Sequence, residues 1–401
     1  MKSARAFLLL ALAAAGLVWF HRQAWPTLDA FALALDHDRS FQQDFLTHYW
    51  PTGHQILTDP RPVAGYYYTA FFALLLAPLG ALPIEQAAPL WTLLQLATLA
   101  AFVAVVRALL RLGPAATCAF ALLLAASHPV LHNLRWGQVS VLMAVASAAS
   151  VLALRERRSV AAGVLLAFAA AIKVYPALFA LLFVFRRDGR ALVAFVLGTL
   201  AMGVALPVAL LGPEQWWAFE VASREGIVRA QWAGGDVNSQ YFANVALRLG
   251  SLFFHHVGGR ALGRFFAAAG VAAAIGCGVL AWRLSRRPQA DRLALPLVAL
   301  YAALAFVVRT SWPHYFAWLP LAQAALLAGC FAPGPGPAGP RRALAVLPLA
   351  SFALSSVFGF RWFPDWNAYS SYGAPFVAQL PLLLALIAIL ALEPGKEGVS
   401  S

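Results

Sequence analysis

The amino-acid sequence predicts an all-α integral membrane protein that crosses the bilayer many times. Of its 401 residues, 62% are hydrophobic and only 11% are charged, whereas roughly 25% are charged in an average soluble domain. Apolar runs near the length that spans a bilayer recur from Ala6 to Leu392, separated by short charged or Gly/Pro-rich connections. These two observations exclude a soluble globular protein and predict a polytopic helical bundle, for which the basic clusters described next give about 12 transmembrane helices.

The excess of basic residues supports this fold class. The formal charge is +13, from 29 Lys and Arg against 16 Asp and Glu. In a soluble protein such a balance would suggest nucleic acid, but here the arginines stand in clusters between apolar runs, as in cytoplasmic loops. The clusters are Arg107 with Arg111, 155–158, 186–190, 283–287, and Arg341 with Arg342. We therefore expect no nucleic-acid partner and place these clusters, and both chain ends, in the cytoplasm.

The apolar segments before Arg107 fit this topology only if one of them does not cross the membrane. Residues 1–20 resemble a signal sequence, and an uncleaved anchor is favoured over a cleaved signal because Trp19-Phe20-His21 is unlike a cleavage site. Three apolar stretches, 6–20, 66–82 and 90–106, then separate Arg5 from Arg107, although an even number of crossings is required. The stretch 66–82 is broken by prolines and opens with three tyrosines of the interfacial type, so it is predicted to be a juxtamembrane or re-entrant helix.

The later segments supply the other crossings. They are predicted at 115–131, 139–154, 160–172, 177–185, 190–211, 262–282, 291–308, 314–331, 343–358 and 374–392. Segments 160–172 and 177–185 are too short to span alone, and they flank Lys173-Val174-Tyr175-Pro176. A broken helix with a polar residue at the break is typical of sites inside membranes. The sequence shows no duplicated halves, which disfavours a transporter built from two repeats.

Two long outer loops are predicted, at 21–89 and 212–260. The first concentrates acidic residues, namely Asp29, Asp36, Asp38, Asp44 and Asp59. Asp44 stands just before an aromatic stretch at the membrane surface, where desolvation and nearby cations can tune a general base. Asp36-His37-Asp38 has a pattern that can bind a metal, but a solvated loop is favoured, and the sequence requires neither a metal nor a cofactor.

Cations on the outer side are not explained by the positive-inside rule. They are Arg135, Lys173, Arg224, Arg229, Arg248, Arg309 and Arg361. Arginine and lysine at this face suit an anionic lipid headgroup, and phosphate in particular. Snorkelling to the interface is the alternative for the individual arginines. Gln138, at a helix start, either orients a substrate or caps its own helix.

Four motifs, in order, resemble one enzyme family. They are Gln43-Asp44-Phe45-x-x-His48-Tyr49, LLLAPLGALP at 74–83, WGQVSVLM at 136–143, and AAGVLLAFAAAIKVYP at 161–176 followed by two arginines. This set resembles the polyprenol-phosphate-mannose-dependent glycosyltransferases of family 87, which have the GT-C fold. The chain departs from the family pattern at Tyr68-Thr69-Ala70, where members tend to have a Tyr-Pro-Pro-like element. It also departs at Asn238-Ser239-Gln240, where Asn-Gln-Ser is more frequent, and at His48, which often is tyrosine.

The resemblance implies a reaction and a set of partners. A sugar, mannose by resemblance, would pass from a polyprenyl-phosphate-linked donor to a glycolipid or glycan acceptor at the extracytoplasmic face of the inner membrane, among membrane lipids. Asp44 would be the catalytic base. The donor phosphate would contact Lys173, Arg135 and Arg248, and the orienting groups would be Gln138, Tyr175, Asn238 and His48. The absence of a glycine-rich phosphate loop disfavours a nucleotide-sugar donor.

Two other classes of function stay open at this point. A lipid or solute transporter would also need intramembrane cations and broken helices, but it has no particular need for a long acidic loop. A scaffold subunit with an inactive site would tolerate replacement of Asp44 and Lys173.

Overall fold

The computed structural model confirms an all-helical protein. It describes residues 8, 10–18, 41–232, 238–253, 259–287, 294–331 and 338–392, and within these ranges no strand forms beyond one isolated bridge, between Ser127 and Ser356. Asp29, Asp36 and Asp38 lie outside the described residues, as do Trp19, Phe20 and His21. The chain divides into two compact units, unit 1 (Met1–Ala126 with Val130–Ala233) and unit 2 (Ser127–Pro129 with Gly234–Ser401).

Unit 1 begins, after a helical stretch at 10–18, with a π-helical turn at Phe45–Tyr49. Its α-helices are α1 (Trp50–Gln55), α2 (Ala70–Gly80), α3 (Ile84–Leu110), α4 (Pro114–Ala126), α5 (His128–Trp136, whose first two residues belong to unit 2), α6 (Ser140–Arg155), α7 (Ser159–Ile172), α8 (Leu181–Phe185), α9 (Gly189–Leu200), α10 (Leu206–Leu211) and α11 (Pro213–Trp232). A 3₁₀ turn, Tyr175–Ala180, precedes α8, and a π-helical turn, Ala201–Ala205, joins α9 to α10.

Unit 2 is built around a helix that is buried along its length. Its α-helices are α12 (Phe242–Phe253), α13 (Gly259–Ser285), α14 (Ala294–Val307), α15 (Leu319–Phe331), α16 (Ala338–Ala343), α17 (Val346–Ser355), α18 (Val357–Phe360), α19 (Trp366–Ser371) and α20 (Ala374–Leu392). Residues Ala294 to Phe306 of α14 are all buried. A helix that is apolar on every side lies either among other helices or in lipid, and the burial of α14 makes it the core of this unit.

Several helices meet the requirements for crossing a membrane. By length and apolar composition, four segments of the described chain qualify: Ile84–Leu110, Gly189–Leu211, Ala261–Ser285 and Ala374–Leu392. The pair α5 and α6 adds a fifth if it is taken as one broken span, since the two helices meet with a bend of 120°. These agree with predicted crossings near 90–106, 190–211, 262–282 and 374–392. The total of about 12 crossings, which rests on the distribution of basic clusters, stays a prediction.

The segment 66–82 forms a helix too short to cross alone. Helix α2 has 11 residues, which rise about 16 Å against a hydrocarbon core of about 30 Å. It crosses α1 where Gly80 lies on Gly53: a Cβ on Gly80 would come within 2.3 Å of the Gly53 carbonyl carbon. The His54 ring nitrogen Nδ1 lies 2.7 Å from the Gly80 carbonyl oxygen. Glycine is required at this crossing because the two backbones are in contact.

The interpretation of Tyr66-Tyr67-Tyr68 as an interfacial aromatic set is wrong for two of the three residues. Tyr66 and Tyr68 are only 2% and 6% exposed and belong to the core of unit 1. Both rings pack against Phe72, with centroids 6.4 and 5.2 Å away. A tyrosine enters a core when its hydroxyl has a partner there, and the Tyr68 hydroxyl has several, described below.

The predicted break at Lys173 is confirmed. Helix α7 ends at Ile172, and Lys173 has an extended backbone, with φ −140° and ψ 123°. The chain continues as the 3₁₀ turn that begins at Tyr175. Pro176 explains why the α-helix does not continue, because proline lacks the backbone N–H and disfavours helical geometry at the residue before it.

Candidate functional site

Asp44 presents its carboxylate to the interior of unit 1. It precedes the π-helical turn with helical φ and ψ of −67° and −34°, and its side chain makes no capping bond to that turn. The carboxylate is half-buried, and its Oδ2 accepts a hydrogen bond from Nε2 of Gln138. The usual local use of an aspartate at a helix start, capping the backbone, is therefore absent, and the carboxylate is available for chemistry.

A chain of hydrogen bonds joins Asp44 to Lys173. The Lys173 ammonium donates to the Tyr68 hydroxyl over 3.3 Å, and the Tyr49 hydroxyl donates to the same oxygen over 2.7 Å. Tyr68 in turn donates to Oε1 of Gln138 over 2.6 Å. A phenol has one proton to donate, and Tyr68 gives it to Gln138. The amide is then oriented with Oε1 toward Tyr68 and Nε2 toward Asp44.

The turn between α5 and α6 holds Gln138 in place. Gly137 has a positive φ of +68°, and a Cβ there would lie 3.1 Å from Phe45 Cβ and from Trp91 Nε1. Trp91 donates to the Gly137 carbonyl over 3.0 Å, and the Gln95 amide donates to the Gln138 carbonyl over 2.8 Å. Glycine meets both demands, since it tolerates left-handed backbone and leaves room for close packing. The motif WGQ at 136–138 thus encodes the turn that positions Gln138.

Gln42 ties the segment that carries Asp44 to its neighbours. Its backbone N–H donates to the Arg135 carbonyl over 2.6 Å, and its side-chain amide donates to the Thr92 hydroxyl over 2.5 Å. Gln42 has a positive φ of 59°. A non-glycine residue in left-handed backbone costs about 1 kcal/mol or more and persists where its surroundings hold it. The segment is fixed against α3 and α5 two residues before Asp44.

Lys173 lies in an aromatic environment next to the same network. The residue is only 8% exposed. Its ammonium is 5.1 Å from the ring centroid of Tyr68 and 5.8 Å from that of Tyr175. Aromatic faces attract a cation. Thr69 fastens the neighbouring segment, because its hydroxyl donates to the Ala171 carbonyl of α7 and accepts from the Phe72 N–H of α2.

Burial controls the proton affinity of Asp44. Loss of water around the carboxylate raises the pKa of Asp44, and the Gln138 hydrogen bond and the positive charges of His48 and Lys173 oppose the rise. The net direction is upward from an ordinary aspartate. A carboxylate with a raised pKa is a stronger base, which suits it to take a proton from a hydroxyl group near neutral pH.

A second carboxylate supports the site from the predicted second outer loop. Glu220, on the exposed helix α11, accepts the Ala70 N–H at the start of α2 over 2.8 Å, and burial raises the pKa of Glu220. Ser223 donates to the Tyr68 carbonyl over 2.7 Å. Helix α11 opens the predicted second outer loop, and Phe219 and Ser223 on one of its faces are buried. Helix α11 braces the backbone on both sides of Thr69.

The structure gathers some of the predicted site residues and separates others. Asp44, Gln138 and Lys173 are joined in one network, with the Tyr175 ring beside Lys173 and the His48 charge acting on Asp44. Arg135, in the same unit, is exposed, and its backbone carbonyl accepts a hydrogen bond from the Gln42 N–H.

Arg248 and Asn238 belong to unit 2 and to a different hydrogen-bond network. The Arg248 guanidinium donates to the carbonyls of Ser371 over 3.0 Å and Ser239 over 2.6 Å. The Asn238 side-chain oxygen accepts from the Trp366 indole over 2.8 Å. In unit 2 both residues tie the segment around 238–240 to helix α19.

Sequence reasoning missed Tyr68, Tyr49 and Gln95, which build the network around Gln138. Their signal was present: buried polar groups need partners, and Gln95 is a polar residue in the middle of the long, mainly apolar helix α3. Within the described ranges, no three His, Cys, Asp or Glu residues lie together as metal ligands would. The pattern at 36–38 is outside those ranges.

The fold and the site together define a class of protein. Long apolar helices with a half-buried carboxylate and a buried lysine between them are typical of a membrane protein with an internal site for a polar or charged substrate. A comparison with known protein families shows which kind of membrane protein this is. The sequence model of glycosyltransferase family 87 matches residues 66–310, more than half of the 401 residues, and the chain belongs to this family. It is therefore a membrane glycosyltransferase.

The matched range covers part of the hydrogen-bond network around Gln138. It includes Tyr68, Gln138 and Lys173, whereas Asp44 stands before it. Neither a curated protein nor a solved structure matches the chain. Family membership favours the glycosyltransferase over the transporter that the sequence had left open.

Proposed function

We propose that this protein transfers a sugar, mannose by family resemblance, from a polyprenyl-phosphate-linked donor to a hydroxyl of a glycolipid or glycan acceptor. The reaction takes place at the extracytoplasmic face of the bacterial inner membrane, on a GT-C-type bundle of about 12 helices. The observation that carries this proposal is the network in which Gln138 holds the Asp44 carboxylate while Tyr68 joins it to the Lys173 ammonium.

Asp44 is the proposed catalytic base. The acceptor oxygen attacks the anomeric carbon, a new C–O bond forms, and the hydroxyl proton passes to the Asp44 carboxylate. In the same step the bond between the anomeric carbon and the donor phosphate oxygen breaks. A single displacement of this kind inverts the configuration at the anomeric carbon.

Lys173 is the proposed partner of the leaving group. Polyprenyl phosphate departs with the electron pair of the broken bond, so negative charge grows on its phosphate. A fixed ammonium in a site of low polarity stabilises that charge without reorganisation. In unit 1, Arg135 is proposed as a further contact of the donor phosphate, and Gln138, Tyr175 and His48 as groups that orient the sugar.

Tyr68 is a proposed positioning residue. It does not need to touch the substrate, because its proton fixes the Gln138 amide and that amide fixes Asp44. Its hydroxyl also accepts from Lys173. One side chain thereby sets the positions of both the base and the cation.

The donor class is tested by sugar transfer with the purified protein. Radiolabelled polyprenyl-phosphate-mannose, polyprenyl-phosphate-glucose and GDP-mannose are each incubated with the protein and a membrane lipid extract. Label should move from polyprenyl-phosphate-mannose and not from GDP-mannose. Transfer from polyprenyl-phosphate-glucose alone would overturn the choice of sugar. Transfer from GDP-mannose in extract freed of polyprenyl phosphates would overturn the lipid-linked donor.

A further inference from the structure

Three helices of unit 1 end in the same unusual way. Arg111 after α3, Arg157 after α6 and Arg187 after α8 all have left-handed backbone, with φ of 52°, 60° and 57°. Among the described residues, Gln42 beside Asp44 is the other non-glycine residue with positive φ. The position after a helix end that adopts this conformation is usually glycine, because a Cβ is unfavourable there.

The hydrogen bonds show that these are true helix-ending motifs. The N–H of Leu112 bonds the Arg107 carbonyl over 2.9 Å. The corresponding bonds run from Arg158 to Ala153 over 2.8 Å and from Asp188 to Phe183 over 2.9 Å. This six-residue closure is the Schellman motif, and each arginine occupies its left-handed position. Three separate helices thus carry an arginine at a position where glycine would have the lower backbone energy.

Packing brings the three connections to one end of unit 1. Arg155, at the end of α6, donates to the Leu109 carbonyl near the end of α3 over 2.7 Å. Ser159, at the start of α7, donates to the Asp188 carboxylate after α8 over 2.7 Å. The connections 107–112, 155–159 and 186–190 are therefore neighbours, and together they form what we name the arginine face.

The charge of the arginine face is strongly positive. Its three connections contain eight arginines and two acidic residues. Arg111, Arg157 and Arg187 are exposed. Of the two acids, Asp188 bonds Ser159 and caps α9 at the Ala191 N–H, and Glu156 pairs with Arg158 at 3.5 Å. The arginines of the face exceed its acids by six.

We propose that the arginine face binds the headgroups of anionic membrane phospholipids, at the membrane surface opposite the transfer site. The helices that end there are apolar, so the face lies where their apolar surface stops, at the depth of lipid phosphates. Guanidinium groups bond phosphate oxygens with two parallel hydrogen bonds. This inference does not depend on the identity of the sugar donor.

Because these three positions have left-handed backbone, glycine can replace the arginines there without backbone strain. Replacement of the three arginines by glycine, in the triple variant Arg111→Gly, Arg157→Gly and Arg187→Gly, removes charge while relieving the backbone. The variant should fold at least as well as wild type in neutral detergent. A control variant, Arg61→Gln with Arg264→Gln and Arg286→Gln, removes the same formal charge from exposed positions outside the arginine face.

The measurement is the thermal unfolding midpoint during titration with phosphatidylglycerol in neutral micelles, with phosphatidylcholine as the comparison. Phosphatidylglycerol should raise the midpoint of wild type and of the control variant. The triple glycine variant should need about 100-fold more lipid, from a contribution of roughly 1 kcal/mol for each basic side chain at a membrane surface.

Other results would overturn the proposal. An unchanged response of the triple glycine variant would show that the arginine face does not hold the lipid. An equal loss in the control variant would show a general effect of net charge. The same rise with inorganic phosphate at equal concentration would show a free-anion site in place of a lipid surface.

Discussion

Removal of one hydroxyl group tests the network around Asp44. Tyr68→Phe removes the hydroxyl that accepts hydrogen bonds from Tyr49 and Lys173. The same change removes the donor of the hydrogen bond to Gln138. A buried polar group left without a partner costs roughly 1–3 kcal/mol. Since some partners can pair again, we expect the free energy of unfolding to fall by about 2–4 kcal/mol. Tyr66→Phe is the matched control, because Tyr66 is equally buried and its hydroxyl makes one bond, to the Thr69 carbonyl over 3.1 Å.

The effect on catalysis separates positioning from stability. Without Tyr68 the Gln138 amide is not fixed, and a hydrogen bond to a charged carboxylate is worth about 1.5–3 kcal/mol. The value of kcat/KM should therefore fall by about 10- to 100-fold. The acidic limb of its pH profile should move to higher pH, because the pKa of Asp44 rises further when a bond that favours its charged form is lost.

The assay is sugar transfer from pH 4 to 9, with thermal unfolding of the same samples. Tyr66→Phe should lose about 1 kcal/mol of stability and keep the wild-type pH profile. If Tyr68→Phe and Tyr66→Phe share one pH profile, the role of Tyr68 in setting Asp44 is refuted.

Three further predictions follow from the same contacts. Asp44→Asn should raise the thermal midpoint at neutral pH. Folding raises the pKa of Asp44, so the protonated carboxyl stabilises the fold below the unfolded-state pKa, and this contribution is lost as pH rises through the folded-state pKa. At neutral pH the wild type therefore lacks this stabilisation, whereas asparagine never carries the charge. The gain over wild type should vanish on acidification, and a gain that persists at low pH would contradict this account. Lys173→Met should lower kcat by about 100- to 1,000-fold with less change in acceptor KM, and a change confined to acceptor KM would assign the ammonium elsewhere. Thr69→Val should lower the free energy of unfolding by about 1–2 kcal/mol, measured by denaturant titration, since the valine neither caps α2 nor reaches Ala171; an unchanged stability would remove this role.

Much of the fold was predictable because the bilayer imposes simple rules. The length of the apolar runs predicted the segment at 374–392 and the other segments that form long helices in the structure. The break at Lys173 was predictable because Pro176 forbids a continued helix and the flanking segments are short. The number of crossings was not settled this way, since many of the apolar helices are short and bent and their lengths do not fix whether they cross.

The candidate site was predictable only in part, and for a physical reason. Asp44, Lys173 and Gln138 stood out because charged and polar groups are costly in apolar segments. Tyr68 did not, because a tyrosine suits an interface as well as a core. Its role depends on a contact with Gln138, 70 residues away in sequence. Arg248 was selected by its charge, whereas its hydrogen bonds to carbonyl groups of unit 2 required the folded chain.

The most direct measurement is the rate of mannose transfer from polyprenyl-phosphate-mannose by Asp44→Asn, with Asp59→Asn as the matched control. Asp59 lies on the same segment but is exposed and paired with Arg61 at 3.0 Å. A general base contributes about 10²- to 10⁴-fold to a rate, so Asp44→Asn should lose at least 100-fold while Asp59→Asn keeps the wild-type rate. A rate within a few-fold of wild type in folded Asp44→Asn would contradict the assignment of the base and direct attention to Asp36 and Asp38.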